Sequence, residues 1–150
     1  MWFDNRNGNY GLWYKNYIVE TNPVEPVVDV KCNGQDAGVT MLSSDNCTLT
    51  VECQANDFAG ERCDFFIIIQ SLSTGAVFTY GPYMGPKWVK SPSNQYYTGG
   101  LMDIPVTTVL DMPIDAGDYK AYVAIDSRAN GSINVPTIVY MDEVDFGVTE

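Results

Sequence analysis

Apolar and polar residues alternate along most of this chain, which is the pattern expected of β-strands. The clearest example covers residues 119–126, where every second residue is apolar or aromatic: Tyr119, Ala121, Val123 and Ile125. Successive strand side chains point to opposite faces, so this segment is predicted to be half buried in an antiparallel sheet. Six further segments have the composition of strands: 27–32, 47–53, 65–69, 76–80, 104–112 and 141–149. Seven short strands with almost no helical signal predict an all-β fold, an antiparallel β-sandwich of two packed sheets.

Two of these strands have predictable positions. The segment 65–69, Phe-Phe-Ile-Ile-Ile, is apolar throughout, as expected of a central strand that is covered on both faces. The segment 104–112 contains Pro105, which lacks a backbone N–H and therefore favours an edge strand or a strand that changes sheets.

The residues that precede the strand at 119 resemble the tyrosine corner of the immunoglobulin (Ig) fold. Asp115, Gly117 and Tyr119 form the pattern Asp-x-Gly-x-Tyr. The resemblance implies that Gly117 permits the turn and that the Tyr119 hydroxyl donates a hydrogen bond to upstream backbone. Ala121 stands where antibody-type domains carry their second cysteine, so their inter-sheet disulfide is not expected. The sandwich is therefore predicted to be Ig-like.

The order of motifs over residues 24–149 resembles a PKD- or Ig-like repeat of large secreted and cell-surface bacterial proteins. These motifs are Val-Asp-Val-Lys-x-Asn-Gly, the Thr-Leu-Thr-Val strand, Cys-Asp-Phe-Phe, and Ala-Gly-Asp-Tyr-Lys-Ala-Tyr-Val-Ala-Ile-Asp. The resemblance implies an extracellular location and a structural or adhesive role, and it names no ligand. The chain departs from such repeats in its cysteines and at 65–66, where they often carry Trp. Phe66 is the expected substitute for that Trp.

The chain before residue 27 has a different composition. Residues 1–22 are rich in aromatic side chains, and Pro23 and Pro26 favour an extended linker at 23–26, ahead of a sandwich domain at 27–150. Residues 3–8 resemble 125–131, and 14–21 loosely resemble 140–150, each pair as a strand, an Asn-Gly turn and a strand. This likeness predicts an extra N-terminal hairpin that ends a preceding repeat or completes a neighbouring subunit. The alternative is a chance likeness.

Two groups of aromatic residues are candidates for an interface. A lone hairpin is only marginally stable in water, so the N-terminal group needs a partner: Trp2, Phe3, Tyr10, Trp13, Tyr14 and Tyr17. The second group lies in the long connection 80–100: Tyr80, Tyr83, Trp88, Tyr96 and Tyr97. Exposed Tyr and Trp are typical of interfaces, but they also stack on sugar rings, and the third alternative is that they fold back over one end of the sandwich.

Charge and composition exclude several classes of function. The net charge is −11 with only 8 basic residues, which disfavours nucleic acid and anionic membranes as partners. The absence of His removes the usual general base and the commonest zinc ligand, so we expect neither an enzyme nor a cofactor. No apolar run is long enough for membrane insertion, and the first residues do not resemble a signal peptide, although a removed export signal would fit.

The four cysteines predict an oxidising compartment and two disulfides. If strands 27–32 and 47–53 are antiparallel neighbours, the end of the first meets the start of the second. Cys32 then pairs with Cys47, and Cys53 pairs with Cys63 across the next connection. A zinc site is disfavoured because no CxxC pair is present.

One loop has a partial calcium-binding pattern. Residues 126–132 carry oxygen side chains in the spacing of a calcium loop, but Arg128 stands where a carboxylate is expected, so a plain turn is favoured. Other acidic residues are better explained as solvated, although calcium between domains is an alternative for them: Asp103, Asp111, Asp142, Glu143 and Asp145.

Together these patterns predict a secreted, self-associating subunit of a cell-surface assembly or filament. Its expected partners are copies of itself or neighbouring domains of the assembly. The alternatives are a carbohydrate-binding module and an accessory domain of a larger surface protein.

Overall fold

A computed structural model describes residues 3–4, 11–12, 22–81, 87–91, 95–133 and 138–150. In those residues no helix is long and apolar enough to cross a membrane. They contain one short 3₁₀ helix, η1 (Asn56–Phe58), and twelve strands: β1 (Phe3–Asp4), β2 (Gly11–Leu12), β3 (Val27–Cys32), β4 (Val39–Leu42), β5 (Cys47–Gln54), β6 (Arg62–Ser71), β7 (Val77–Gly81), β8 (Lys87–Lys90), β9 (Tyr97–Gly100), β10 (Ile104–Met112), β11 (Gly117–Asp126) and β12 (Ile138–Thr149).

Two sheets form a sandwich, which confirms the all-β prediction. The small sheet has the antiparallel order β10-β5-β3. The large sheet has the order β4-β12-β11-β6-β7-β8, and β9 pairs with the first half of β6. All its pairings are antiparallel except that of β4 with β12. The predicted edge position of β10 is confirmed, and β6 lies in the interior of its sheet as expected.

The core lies between the two sheets and follows the predicted alternation. Ala121, Val123 and Ile125 are buried together on the inner face of β11. Leu49 and Val51 of β5 face them from the small sheet. The inner face of β12 contributes Val144, Phe146 and Val148.

The expectation for Phe66 was wrong. Phe65 and Ile67 belong to the core between the sheets, whereas Phe66 is fully buried outside that core. Side chains alternate along a strand, so Phe66 shares the outer face of the large sheet with its neighbour in register, Ala124. Because residues 65–69 are apolar at every position, the sequence does not indicate which face of this strand points to the core.

Three strands were not predicted: β4, β8 and β9. Each has only four residues, which is too short for an alternating pattern to stand out. The last two lie in the aromatic connection 80–100, where Gly, Pro and Ser are frequent.

Residues 22–26 precede β3 without regular structure, as expected for the Pro-containing linker, but they are fixed to the sandwich. The Val24 N–H donates to Asp57 Oδ2 at 2.7 Å, and the Asn56 side-chain amide donates to the Glu25 carbonyl at 2.7 Å. Pro26 is buried. The chain therefore meets the sandwich beside η1.

The N-terminal hairpin is visible in its paired residues. Phe3 pairs with Leu12 and Asp4 with Gly11, in a two-stranded antiparallel sheet separate from the other two sheets. Its origin as the end of a preceding repeat, or as a segment that completes a neighbour, stays a prediction.

We expect Thr79→Val to stabilise the protein. Thr79 is fully buried on β7, and among the described residues its hydroxyl is the one buried side-chain oxygen or nitrogen without a hydrogen-bond partner. Valine keeps the shape and removes the unpaired group, so the free energy of unfolding in urea is expected to rise by about 1 kcal/mol. Thr79→Ser keeps the hydroxyl and loses a methyl group, so it should be destabilising. A loss of stability in the valine variant would contradict this account.

Candidate functional site

Four aromatic side chains of the long connection and its neighbours pack together at one side of the sandwich. We call this group the aromatic cluster: Phe65, Tyr80, Trp88 and Tyr96. Tyr80 and Trp88 are register partners on β7 and β8, with ring centroids 5.3 Å apart. Tyr96 stacks on Tyr80 at 5.9 Å and meets Phe65 edge-on at 6.1 Å. The cluster is thus continuous with the core through Phe65.

Trp88 joins the edges of the two sheets. Its indole N–H donates to the Val109 carbonyl of β10 at 3.0 Å. The register of β10 against β5 shifts between Thr108 and Leu110, so Val109 has no partner in β5. The indole satisfies this carbonyl and links the edge strand of the large sheet to the edge strand of the small sheet.

The buried tyrosine of the cluster keeps its proton. Burial, and to a smaller extent the neighbouring Tyr96, raises the pKa of Tyr80. Tyr80 is therefore neutral at physiological pH.

The described residues of the connection favour the capping alternative over an exposed binding row. Tyr80 is buried, and Trp88, Tyr96 and Tyr97 are each half-buried. The Tyr97 ring lies so close to Gly99 that any side chain at that glycine would collide with it. Tyr83 lies outside the described residues.

An apolar pocket lies beside the aromatic cluster, and we call it the lateral pocket. Its volume is about 340 Å³. It opens between the edge strand of the small sheet and the outer strands of the large sheet, and its walls combine residues of β6, β7, β8, β10, β11 and the β10–β11 connection: Ile69, Phe78, Trp88, Leu110, Met112, Pro113, Ile114, Asp115 and Tyr119.

The tyrosine corner closes one end of this pocket. The predicted hydrogen bond is present, since the Tyr119 hydroxyl donates to the Asp115 carbonyl at 2.9 Å. Gly117, the first residue of β11, has a φ of 155°, which side chains disfavour. The Tyr119 ring stacks on Phe146 at 5.5 Å. Burial, followed by the charge of Asp115, raises the pKa of Tyr119, so the hydroxyl keeps its proton as a donor.

The predicted cysteine neighbours are confirmed for the first pair, but no disulfide is formed in the described structure. All four cysteines are buried free thiols. β3 and β5 are antiparallel as predicted, and the Sγ atoms of Cys32 and Cys47 are 3.8 Å apart, within about 2 Å of bonding distance. Cys53 lies on the small sheet and Cys63 on the large sheet.

The environment sets the acidity of these thiols. The hydrogen bond from Cys47 lowers the pKa of Cys32, and the same bond together with burial raises the pKa of Cys47. Burial raises the pKa of Cys53 to about 11, and it also raises the pKa of Cys63. Cys32 is therefore the thiol that loses its proton first.

The loop with the partial calcium-binding pattern, residues 126–132, is held by the buried side chain of Asp64, which the sequence did not single out. Asp64 of β6 is fully buried. Its Oδ2 accepts the N–H groups of Asn130 and Gly131 at 2.9 and 2.6 Å, and its Oδ1 accepts the Thr98 hydroxyl at 2.5 Å. Asp126, also fully buried, accepts the N–H of Arg128 at 2.8 Å. The favoured interpretation, a plain turn, agrees with these contacts.

The other acidic residues considered for calcium have protein donors. Asp142 accepts the Val30 N–H at 2.8 Å, and Asp103 accepts the Ala55 N–H at 2.8 Å. Glu143 and Asp145 form salt bridges with Lys120 at 2.9 and 3.3 Å. Asp111 accepts hydrogen bonds from the side chains of Thr48 on β5 and of Asn46, which precedes that strand. The described ranges contain no group of three or more acidic or thiol side chains arranged to hold a metal ion.

Most of the N-terminal aromatic group lies outside the described residues. This applies to Trp2, Tyr10, Trp13, Tyr14 and Tyr17, and only the backbone pairing of Phe3 is described.

We expect Asp64→Ala to be strongly destabilising. The change leaves three donors at a partly buried site without their acceptor, and the free energy of unfolding should fall by about 3 kcal/mol. Asp145→Ala is the matched control, because its ion pair with Lys120 is exposed to solvent and should contribute little to stability. Chemical denaturation measures both. Equal effects of the two substitutions would contradict the clamp role of Asp64.

A scan against protein families, a search of curated proteins and a search of solved structures each found no match to this chain. Its function must therefore be inferred from its own residues and their geometry.

Proposed function

We propose that the protein is a structural or adhesive module of an extracellular assembly whose copies associate through the N-terminal aromatic segment, residues 1–21. One observation carries the proposal. The sandwich builds a continuous core from residues of its own strands between Val30 and Val148. The six aromatic residues of the segment precede it, and one of them, Phe3, lies in a two-stranded pair that belongs to neither sheet of the sandwich. A pair of that size cannot bury them alone.

The geometry of such an association supports a filament. If the segment of one copy binds a different surface of the next copy, the contact is heterologous. Heterologous contacts that do not close into a ring produce open chains.

The strand order supports the Ig-like part of the proposal. The Ig sandwich places strands B and E in one sheet and strands C, F and G in the other. Here β5 and β10, in the places of B and E, share the small sheet. The strands in the places of C, F and G, which are β6, β11 and β12, share the large sheet. The Tyr119 corner stands at the start of β11, where that fold has its own. This likeness favours a role on the surface of a bacterial cell.

The cysteines support export to an oxidising compartment. Four cysteines lie buried, and the first pair is placed for bonding. Oxidation of Cys32 and Cys47 would release two protons and pass two electrons to a disulfide such as oxidised glutathione, which is reduced to two thiols. The resulting bond would tie β3 to β5 inside the core.

Deletion of residues 1–21 is expected to abolish assembly and leave the sandwich folded. The described core begins at Val30, so the Tm should change by only a few degrees. Sedimentation velocity and electron microscopy would compare the full chain with the deletion. Unchanged assembly by the deleted chain would contradict the proposal, and a monomeric full chain that binds a glycan array would favour the carbohydrate-binding alternative.

Disulfide formation is expected to change how stability depends on alkaline pH. In the reduced protein, Cys53 keeps its proton up to about pH 11, whereas an unfolded thiol loses it near the ordinary value of 9.0. The unfolded chain then binds fewer protons, so stability falls as the pH rises from 9 to 11. Raised pKa values of Tyr80 and Tyr119 extend the loss in the same direction above pH 10.

The oxidised protein has no thiol to titrate, so its stability should vary less between pH 9 and 10. Denaturant titrations of both forms measure the difference.

Peptide mapping of the oxidised chain is expected to show bonds from Cys32 to Cys47 and from Cys53 to Cys63. A bond from Cys32 to Cys63 would contradict the pairing.

A further inference from the structure

We infer that the lateral pocket, with the edge of β10 beside it, receives an aromatic side chain from residues 1–21 of a second copy. The inference rests on the proposed function, since it names the surface to which the N-terminal segment binds.

The two sheets differ in width, and this leaves the site open. The small sheet has three strands, and its edge strand β10 pairs only with β5 among the described strands. The large sheet continues with β7 and β8 beyond its central strands. One more strand beside β10 would cover the inner face of β7, where Phe78 lines the pocket. An added strand is the usual way in which an extended segment binds a free sheet edge.

The pocket has the size and chemistry of an anchor site. Eight of its nine lining residues are apolar or aromatic, and its volume of about 340 Å³ is at the lower end for binding pockets. The Trp88 contact with Val109 limits it on one side, and the Tyr119 corner limits it on the other. A pocket of this size accepts one aromatic side chain. Aromatic side chains are among the residues that contribute most of the binding free energy at protein interfaces.

Charge favours the N-terminal segment as the occupant. Residues 1–21 contain two acidic and two basic residues, so they are neutral, and residues 22–150 carry the whole net charge of −11. A second sandwich domain would bring like charge to the pocket, whose lining includes Asp115. The segment brings six aromatic residues, and Lys15 follows one of them directly.

The attachment point of the segment and the pocket lie at different ends of the sandwich. Val24 is fixed beside η1, which follows the last residue of β5. Met112 of the pocket pairs with Cys47, the first residue of β5. The eight residues of β5 separate the two points by about 23 Å at the usual rise per residue. Residue 24 is thus fixed at one end of the sandwich while the pocket lies at the other, so binding of the segment to a second copy would give a head-to-tail contact.

The test compares two methionines in the full chain. Met112 is 53% exposed in the pocket wall, and Met141 is 52% exposed on β12, outside the pocket. Met112→Glu places a charge in the pocket and should reduce the sedimentation coefficient to that of the monomer, whereas Met141→Glu should assemble like the unmodified chain. Assembly of Met112→Glu at the unmodified level would overturn the pocket and leave the proposed function intact. A monomeric unmodified chain would overturn both.

Crosslinking identifies the occupant. A photoreactive benzoylphenylalanine in place of Met112 is expected to crosslink to residues 1–21, and mixing of isotopically light and heavy copies should show that the joined peptides come from different chains. A crosslink within one chain, or to another part of the second copy, would overturn the assignment of the occupant.

Discussion

The antiparallel pairing of β6 with β11 is the interaction on which the rest of the sandwich depends. The two strands stay in register from Asp64 and Asp126 at one end to Ser71 and Tyr119 at the other. Their inner faces supply the middle of the core, because three successive inward pairs are apolar: Ile69 with Ala121, Ile67 with Val123 and Phe65 with Ile125. The ends of the two strands carry the side chains that hold adjacent loops: Asp64 accepts a hydrogen bond from the Asn130 N–H, and Tyr119 donates one to the Asp115 carbonyl. A shift of one residue in this register would turn both faces over.

The two sides of the sandwich are closed by different means. On one side, β3 approaches β12, and the Val30 N–H donates to Asp142 of that strand. On the other side, the small sheet ends at β10 while the large sheet continues, and Trp88 bridges the gap with its indole N–H. Aromatic rings from the connection 80–100 therefore cover part of this side, where the small sheet has no described strand opposite β7 and β8. The lateral pocket is the part that they leave uncovered.

The proposed assembly follows from an imbalance of charge and apolar surface along the chain. The sandwich is acidic and complete in its core, whereas the segment before it is neutral and rich in aromatic residues. Acidic domains repel one another in solution, which keeps them apart unless a neutral segment mediates the contact. The attachment of residues 24 and 25 to η1 gives that segment a defined point of departure. In the proposed assembly, this fixed departure point and the distant pocket would set the direction of a chain of copies.

The sequence by itself determined the class of fold, the long strands and the tyrosine corner, because alternation and turn residues are local properties. The seven predicted strands are all present, and Tyr119 donates to Asp115 as its motif implies. Only the tertiary structure decided which face of β6 is the inner one, since Phe65 and Phe66 are equally apolar and the opposite sheet makes the distinction. It also decided that Trp88 joins the sheets and that Asp64 holds a loop 66 residues away, because contacts between distant segments leave no periodic trace in the chain.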